Sequence, residues 1–322
     1  MAMLTRLAAA LTAFVLAPAA MAQNAYPTKS IRLVVPFGAG GPTDVIARLV
    51  GEQLSQKWGQ QIVIENVTGA GGNTGAAGVA KAAPDGYTIM AVSTGFIVNP
   101  SLYSKVPYDL KTSFAPISLF AVTPNIVSVH PSVPAKTLKE LIDLIKSSPG
   151  KFSYAQPGNG STPHLAAELL KLQYGLDLAT VSHASAAAAI TTTLGGHTQV
   201  AFTVLPAAQP SIQAGNLRGR AVMATKRVPG LPDVPTTAEA GIPDQVSDTL
   251  TGFVAPAGTP KEIVDKWQAD MAAMVALPAV KKQLEDMGFG PIASTPTEFA
   301  ARIETESAKW AKVIRDAKIR VD

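Results

Sequence analysis

Ile31-Arg32-Leu33-Val34-Val35-Pro36-Phe37-Gly38-Ala39-Gly40-Gly41-Pro42-Thr43-Asp44 is the stretch whose reading decides the fold class. Its first five residues read as a buried strand, and the glycine-rich turn that follows opens a helix. From Thr43 to Lys57 the spacing puts Val45, Ile46, Leu49, Val50 and Leu54 on one helical face. The same unit recurs. Strands are predicted at 62–66, 87–92, 152–155, 179–183, 200–203 and 220–224. Helices are predicted at 73–81, 138–147, 163–174, 186–194 and 207–213. Strands alternating with helices predict an α/β architecture with largely parallel sheets. Toward the C-terminus the pattern is helical. Ile263, Val264, Trp267, Met271 and Met274 form one stripe, and Phe299, Ile303, Trp310 and Ile314 another. Both read as faces packed on a core. Two extended segments interrupt the alternation and are candidates for crossings between domains: 117–131, with Pro124 in its middle, and 249–258.

The N-terminus reads as an address. Arg6 is followed by an uncharged apolar run from Leu7 to Ala20, and Ala20-Met21-Ala22 supplies a small-x-small cleavage pattern. A cleavable signal peptide over residues 1–22 is expected, with an exported mature chain. The charge balance, 27 Lys+Arg against 23 Asp+Glu, is spread along the chain without basic blocks, which excludes nucleic acid as an expected partner. Cysteine is absent, so disulfides, thiol nucleophiles and cysteine metal sites are excluded.

The chemistry sits at the strand-to-helix junctions. Residues 36–44 form the first glycine loop and residues 66–75 the second, the latter containing Gly69-Ala70-Gly71-Gly72. Glycine lets backbone approach a ligand closely, and a helix start offers unpaired N–H groups at the positive end of its dipole. Together they make an anion site from backbone alone. Neither loop carries Lys or Arg, which favours a carboxylate over a phosphate. The plainer reading is a pair of tight turns capped by Thr43 and Asn73. A dinucleotide fingerprint fails because Thr43 and Pro42 stand where Gly or Ala and the helix start belong, and a Walker loop fails for want of Lys-Ser/Thr. No cofactor is expected. Ser93-Thr94-Gly95-Phe96 follows the third strand and would share the same edge, bringing Ser93 and Thr94 to the crevice. In the second half, 156–164 is a further junction, with Asn159 in its turn and Ser161 or Thr162 either capping the helix or donating to a ligand oxygen. The four histidines show no metal spacing and no catalytic constellation. His164 and His183 adjoin candidate pocket loops.

These junctions, with Ala83-Pro84-Asp85-Gly86-Tyr87, Asn99-Pro100-Ser101-Leu102-Tyr103, Gly158-Asn159-Gly160-Ser161, Leu231-Pro232-Asp233-Val234-Pro235-Thr236 and Ala255-Pro256-Ala257-Gly258-Thr259-Pro260, resemble the Bug-type receptors of tripartite tricarboxylate transporters, in order along the mature chain. The resemblance implies a type II, Venus-flytrap periplasmic binding protein of two domains with the ligand cleft between them. It also implies a monomer that binds a small organic carboxylate, and a membrane partner of one large and one small subunit. On that reading domain 1 comprises 23–123 and 248–322 and domain 2 comprises 124–247. A ligand carboxylate would lie between Phe37, Gly38, Ala39 and Asp44 on one side and Gly69, Ala70, Gly71 and Gly72 on the other, with Asp44 as a loop brace rather than a direct contact. Three departures bear on specificity. Ser182-His183-Ala184-Ser185 replaces a Pro-Tyr-Lys-Gly stretch, Gln199 replaces an aspartate, and Leu250 replaces an aromatic. They predict a roomier, less charged distal pocket for a larger or aromatic dicarboxylate such as terephthalate, its far carboxylate meeting Ser161, His164 or His183. An exported enzyme acting on carboxylates and a carboxylate sensor docking on a signalling partner are the competing expectations.

Overall fold

The computed structural model of the chain describes residues 26–321. The expected signal peptide lies outside the described residues. In chain order the elements are β1 (Ile31–Val35), α1 (Pro42–Trp58), β2 (Ile62–Asn66), a 3-10 turn (Ala70–Gly72), α2 (Asn73–Ala80), β3 (Thr88–Ser93), α3 (Thr94–Leu102) and β4 (Phe114–Val129). Next come α4 (Leu138–Lys146), β5 (Ser153–Gln156), α5 (Thr162–Tyr174), β6 (Ala179–Ser182), α6 (Ala186–Leu194), β7 (Val200–Val204), α7 (Leu205–Gln213) and β8 (Arg218–Val222). The chain ends with β9 (Asp248–Pro256), α8 (Lys261–Val275), α9 (Pro278–Asp286), β10 (Gly290–Pro291) and α10 (Pro296–Asp316).

β1 shows why the opening stretch decides the architecture. Ile31, Leu33 and Val35 pack into one core with Ile46, Val50 and Leu54 of α1, while Val34 packs into a second core with Met90, Val92 and Phe96 on the opposite face. A strand covered by helices on both faces has to be apolar throughout rather than alternating. Each such buried Val, Leu or Ile contributes about 1.5–3 kcal/mol. α1 begins with Pro42 at its first position and stops at Gly59, which is left-handed (φ 66°) and returns its N–H to the Ser55 carbonyl.

The sheet runs β2-β1-β3-β9-β4-β7-β5-β6, with β8 and β10 also paired to β4. β1 pairs in parallel with β2 and β3, and β5 with β6 and β7, as the alternation predicts. The centre differs. β4 and β9 are antiparallel to each other and to β3, β7, β8 and β10, so the sheet is mixed rather than largely parallel. The reason is topological. A chain that leaves one half along β4 and returns along β9 has to run both ways through the centre, and antiparallel pairing needs no helical crossover. β4 pairs with β9 over Phe114–Pro124 and with β7 over Asn125–Val129, so one strand serves both halves.

Two helices lie beyond the sequence expectation. Ser93-Thr94-Gly95-Phe96 is not a loop but the start of α3, whose N-cap Ser93 accepts from the Gly95 N–H, and α9 follows α8. α10 ties the halves together. Its Trp310 and Ile314 join Val98 and Leu102 of α3 and Leu165 of α5 in one cluster, and the Trp310 indole donates to Glu306 Oε2 at 2.6 Å.

Candidate functional site

The first glycine loop is held from below by Asp44. Its Oδ2 accepts from the Gly40 N–H (2.8 Å) and Arg48 Nε (2.8 Å), and its Oδ1 accepts from Asn66 Nδ2 (2.8 Å) and an Arg48 terminal nitrogen (3.0 Å). Asn66, at the end of β2, also donates to the Phe37 carbonyl at 3.0 Å, so strand end, loop and helix start form one unit. Burial raises the Asp44 carboxyl, but hydrogen bonds from Arg48, the Gly40 N–H and Asn66 outweigh it and hold the pKa below the ordinary range. With four donors already engaged, Asp44 shapes the loop and does not line the cavity.

Neither helix start carries the expected side-chain cap. The N-cap of α1 is Gly41 and that of α2 is Gly72, both without a side-chain hydrogen bond. Asn73 instead accepts from Asn99 Nδ2 (2.9 Å) and the Tyr108 hydroxyl (3.1 Å). Asn99 also donates to the Gly71 carbonyl at 2.9 Å, fastening the second loop to α3. Gly71 has φ +64°, which favours glycine, and a Cβ there would lie 2.8 Å from the Tyr103 hydroxyl and displace it.

The second half presents its loop through His164. Nδ1 accepts from the Gly160 N–H at 3.0 Å, while Nε2 lies 3.9 Å from Glu168 Oε1. Burial lowers the His164 pKa despite Glu168, so the ring is a neutral brace beneath the loop rather than a cation facing a ligand. Ser161 caps α5 by accepting from the His164 N–H. Asn159 Oδ1 accepts from Gln156 Nε2 at 3.0 Å, leaving its Nδ2 free to donate. Ser185 caps α6 by accepting from the Ala188 N–H at 3.2 Å, and its own hydroxyl proton is uncommitted.

These loops face one another across a cavity of about 520 Å³. Of the sequence-predicted residues, Phe37, Gly71, Ser93, Thr94, Asn159, Ser161 and Thr162 line it. Gly38, Ala39, Asp44, Gly69, Ala70, Gly72, His164 and His183 do not. His164 is corrected from wall to support, since it sits under its loop, whereas His183 does not line the cavity and its buried Nε2 has no hydrogen-bond partner among the described residues. Two of the three departures also lie elsewhere. Gln199 precedes β7 and accepts from the Ser153 N–H at 3.0 Å, at the opposite end of the strand from Val204, which lines the cavity. Leu250 is fully buried in the core with Met90 and Phe299. Only the Ser182–Ser185 departure reaches the cleft, through Ala184 and Ser185. Missed from sequence were Gly41, Thr43, Asn99, Tyr103 and Thr249. Asn99 lies in α3 and Tyr103 caps its end, and the sequence pattern does not disclose that helix.

Among the described residues no Asp, Glu, Lys, Arg or His is in the wall. Five helices, α1, α3, α5, α6 and α7, begin at it, so its electrostatic character comes from backbone dipoles and hydroxyl or amide donors. Among the described residues no group of three or more His, Cys, Asp or Glu is arranged to hold a metal.

Comparison with known proteins agrees with this architecture. The family model of the tripartite tricarboxylate transporter family receptor matches residues 46–319. BugT of Bordetella pertussis is 32% identical over 307 residues, covering 95% of this chain and 94% of BugT. The solved structure of Rpa4515 from R. palustris with adipate is 35% identical, with TM-score 0.81, covering 92% of this chain and 100% of that one. The solved periplasmic binding protein BugD is 33% identical, with TM-score 0.77 and the same two coverages, 92% and 100%. The two-lobed α/β fold, the cleft between the lobes and these likenesses together assign the chain to the tripartite tricarboxylate transporter receptor family, as a Bug-type periplasmic solute-binding protein and not an enzyme.

Proposed function

We propose that the chain captures a small dicarboxylate in the periplasm as a monomer and delivers it to the large and small membrane subunits of a tripartite tricarboxylate transporter. The observation that carries this reading is the uncharged cleft on which five helix starts converge. Such a wall stabilises an anion through N–H groups and dipoles without a cationic side chain. One carboxylate would lie at the uncapped start of α1, against Phe37, Thr43 and Gly71. The other would meet the Asn159 amide and the Ser161, Thr162 and Ser185 hydroxyls. In the proposed layout domain 1 holds the first group, through residues 23–123 and 248–322, and domain 2, residues 124–247, holds the second. A dicarboxylate spanning both would favour the closed state.

The walls between the two polar ends are apolar, with Phe37, Leu102, Tyr103, Pro157 and Val204, and the volume lies in the usual range for small-molecule sites. An aromatic dicarboxylate such as terephthalate fits that profile. Rpa4515, solved with adipate, supports dicarboxylates as the class. A thermal-shift screen followed by calorimetry tests the reading, because a ligand that binds only the folded state raises the melting temperature. Terephthalate and adipate should stabilise the protein, whereas aspartate and citrate, with a charged amine or a third carboxylate, should not. Tight aspartate or citrate binding with no response to either linear dicarboxylate would overturn it.

A further inference from the structure

Neighbouring residues on a strand point to opposite faces, and on β9 this separates two clefts. Thr249 lines the ligand cavity, whereas Asp248 lines a second cavity of about 540 Å³. Val204 and Leu205 divide in the same way, Val204 to the first and Leu205 to the second. Val122 and Pro124, two apart on β4, share the second face with Asp248, the residue paired to Pro124. The β4–β9 ribbon therefore stands between two clefts, each walled by both lobes. A hinge motion about the ribbon that opens one narrows the other.

In the rear cleft the lobes already touch. Gly288, just beyond α9, lies so close to Pro206 in the first turn of α7 that a Cβ on the glycine would be 2.8 Å from Pro206 Cγ. On the ligand side the lobes also meet, with Gly160 against Leu102 and the Thr162 hydroxyl against that of Thr249. Opening the ligand cleft presses the rear walls together at a contact that is already formed, so the contact resists opening.

We propose that the Gly288–Pro206 contact is the rear stop of the hinge and sets ligand affinity from a position that touches no ligand. Bulk added to the rear cleft holds the ligand cleft closed, and bulk removed there lets it open. This rests on the two-lobe receptor reading above. Its test has a ligand-free arm, so that failure of the ligand assignment and failure of the stop are distinguishable.

Two variants probe opposite directions. Pro206→Ala removes bulk of the second lobe from its contact with Gly288, and Ile292→Trp adds bulk to the first-lobe wall of the rear cleft that Gly288 also lines. The chain contains no cysteine, so Lys105→Cys and Ala187→Cys, exposed positions near the cavity residues Tyr103 and Ala186, accept a pair of distance labels cleanly. Without ligand, Pro206→Ala should lengthen the label distance and Ile292→Trp should shorten it. For whichever carboxylate binds the parent protein, Kd should rise about 5–10-fold in Pro206→Ala and fall in Ile292→Trp, following the closed fraction. Label distances that stay unchanged, or that move the same way in both variants, overturn the proposal. Shifts in opposite directions sustain it even if no tested carboxylate binds.

Discussion

Gly160 and Leu102 meet across the ligand cleft, and a Cβ on Gly160 would stand 2.6 Å from Leu102 Cδ1. Gly160 also has φ +79°, where an L-residue costs roughly 1–2 kcal/mol. The glycine thus serves both the turn before α5 and the close approach of the lobes. Gly160→Ala should weaken ligand binding at least about tenfold, the equivalent of roughly 1.4 kcal/mol. Leu102→Val, which removes the colliding atom, should restore part of that loss in the double variant. Calorimetry on the two single variants and the double gives the coupling. Strictly additive effects would mean that the contact plays no part in closure.

Asp44 carries the first loop through four accepted hydrogen bonds. Asp44→Ala strands the Gly40 N–H and the Asn66 amide, and should cost about 1–3 kcal/mol in chemical denaturation and abolish binding. Because its folded pKa lies below the ordinary value of 3.8, its contribution is fully present above that pH and is lost as pH falls through the lower folded value. The stability gap between parent and Asp44→Asn should therefore close in acid. A gap that stays constant down to the acid transition would contradict the charge-assisted brace.

How much of this was legible in the sequence depends on what each residue answers to. Ile31–Val35 and the glycine loop after it were readable because local composition and burial on both faces dictate the same strand and turn. α3 was not, since Gly95 and Pro100 lower helix propensity, and only the Ser93 cap and tertiary packing of Phe96 and Val98 enforce it. The antiparallel centre was hidden because pairing direction depends on where the chain travels, not on side-chain pattern. At the site, the loops were found but their members were misassigned. Asn99 and Ser185 enter the site through contacts distant in sequence or through a cap, and His164 looks the same in sequence whether it faces the ligand or the loop. Gln199 and Leu250 were placed near the ligand by analogy, whereas strand direction and core alternation put them away from it.

His164 gives a pH signature. Both states hold it neutral well above 6.5, where it contributes no slope. Below that value the unfolded chain takes up a proton that the folded ring, lowered by burial and by Lys171 against the opposing pull of Glu168, resists. Stability should fall as pH drops from the ordinary histidine value toward the folded one, by at most about 1.4 kcal/mol per unit. His164→Gln keeps an acceptor for the Gly160 N–H and should remove this slope while retaining binding at neutral pH. Denaturant melts taken from about one unit above the ordinary histidine value down into the acid range compare the two. An unchanged slope in the variant would reassign it to other groups.

The uncharged wall of the ligand cleft predicts how binding responds to salt. A receptor that holds its anion with lysine or arginine loses affinity as screening grows, whereas N–H groups and dipoles in contact with a buried ligand are screened little. Across a tenfold rise in sodium chloride that shortens the Debye length from about 14 to 4 Å, Kd should change by less than about threefold. Asn159→Lys is the internal control. Adding a cation to the distal end should tighten dicarboxylate binding at low salt and introduce a clear salt dependence, leaving a monocarboxylate anchored at the α1 start almost unaffected. Strong salt dependence in the unmodified protein would mean that a basic side chain reaches the ligand on closure, and the backbone account of the site would then have to be abandoned.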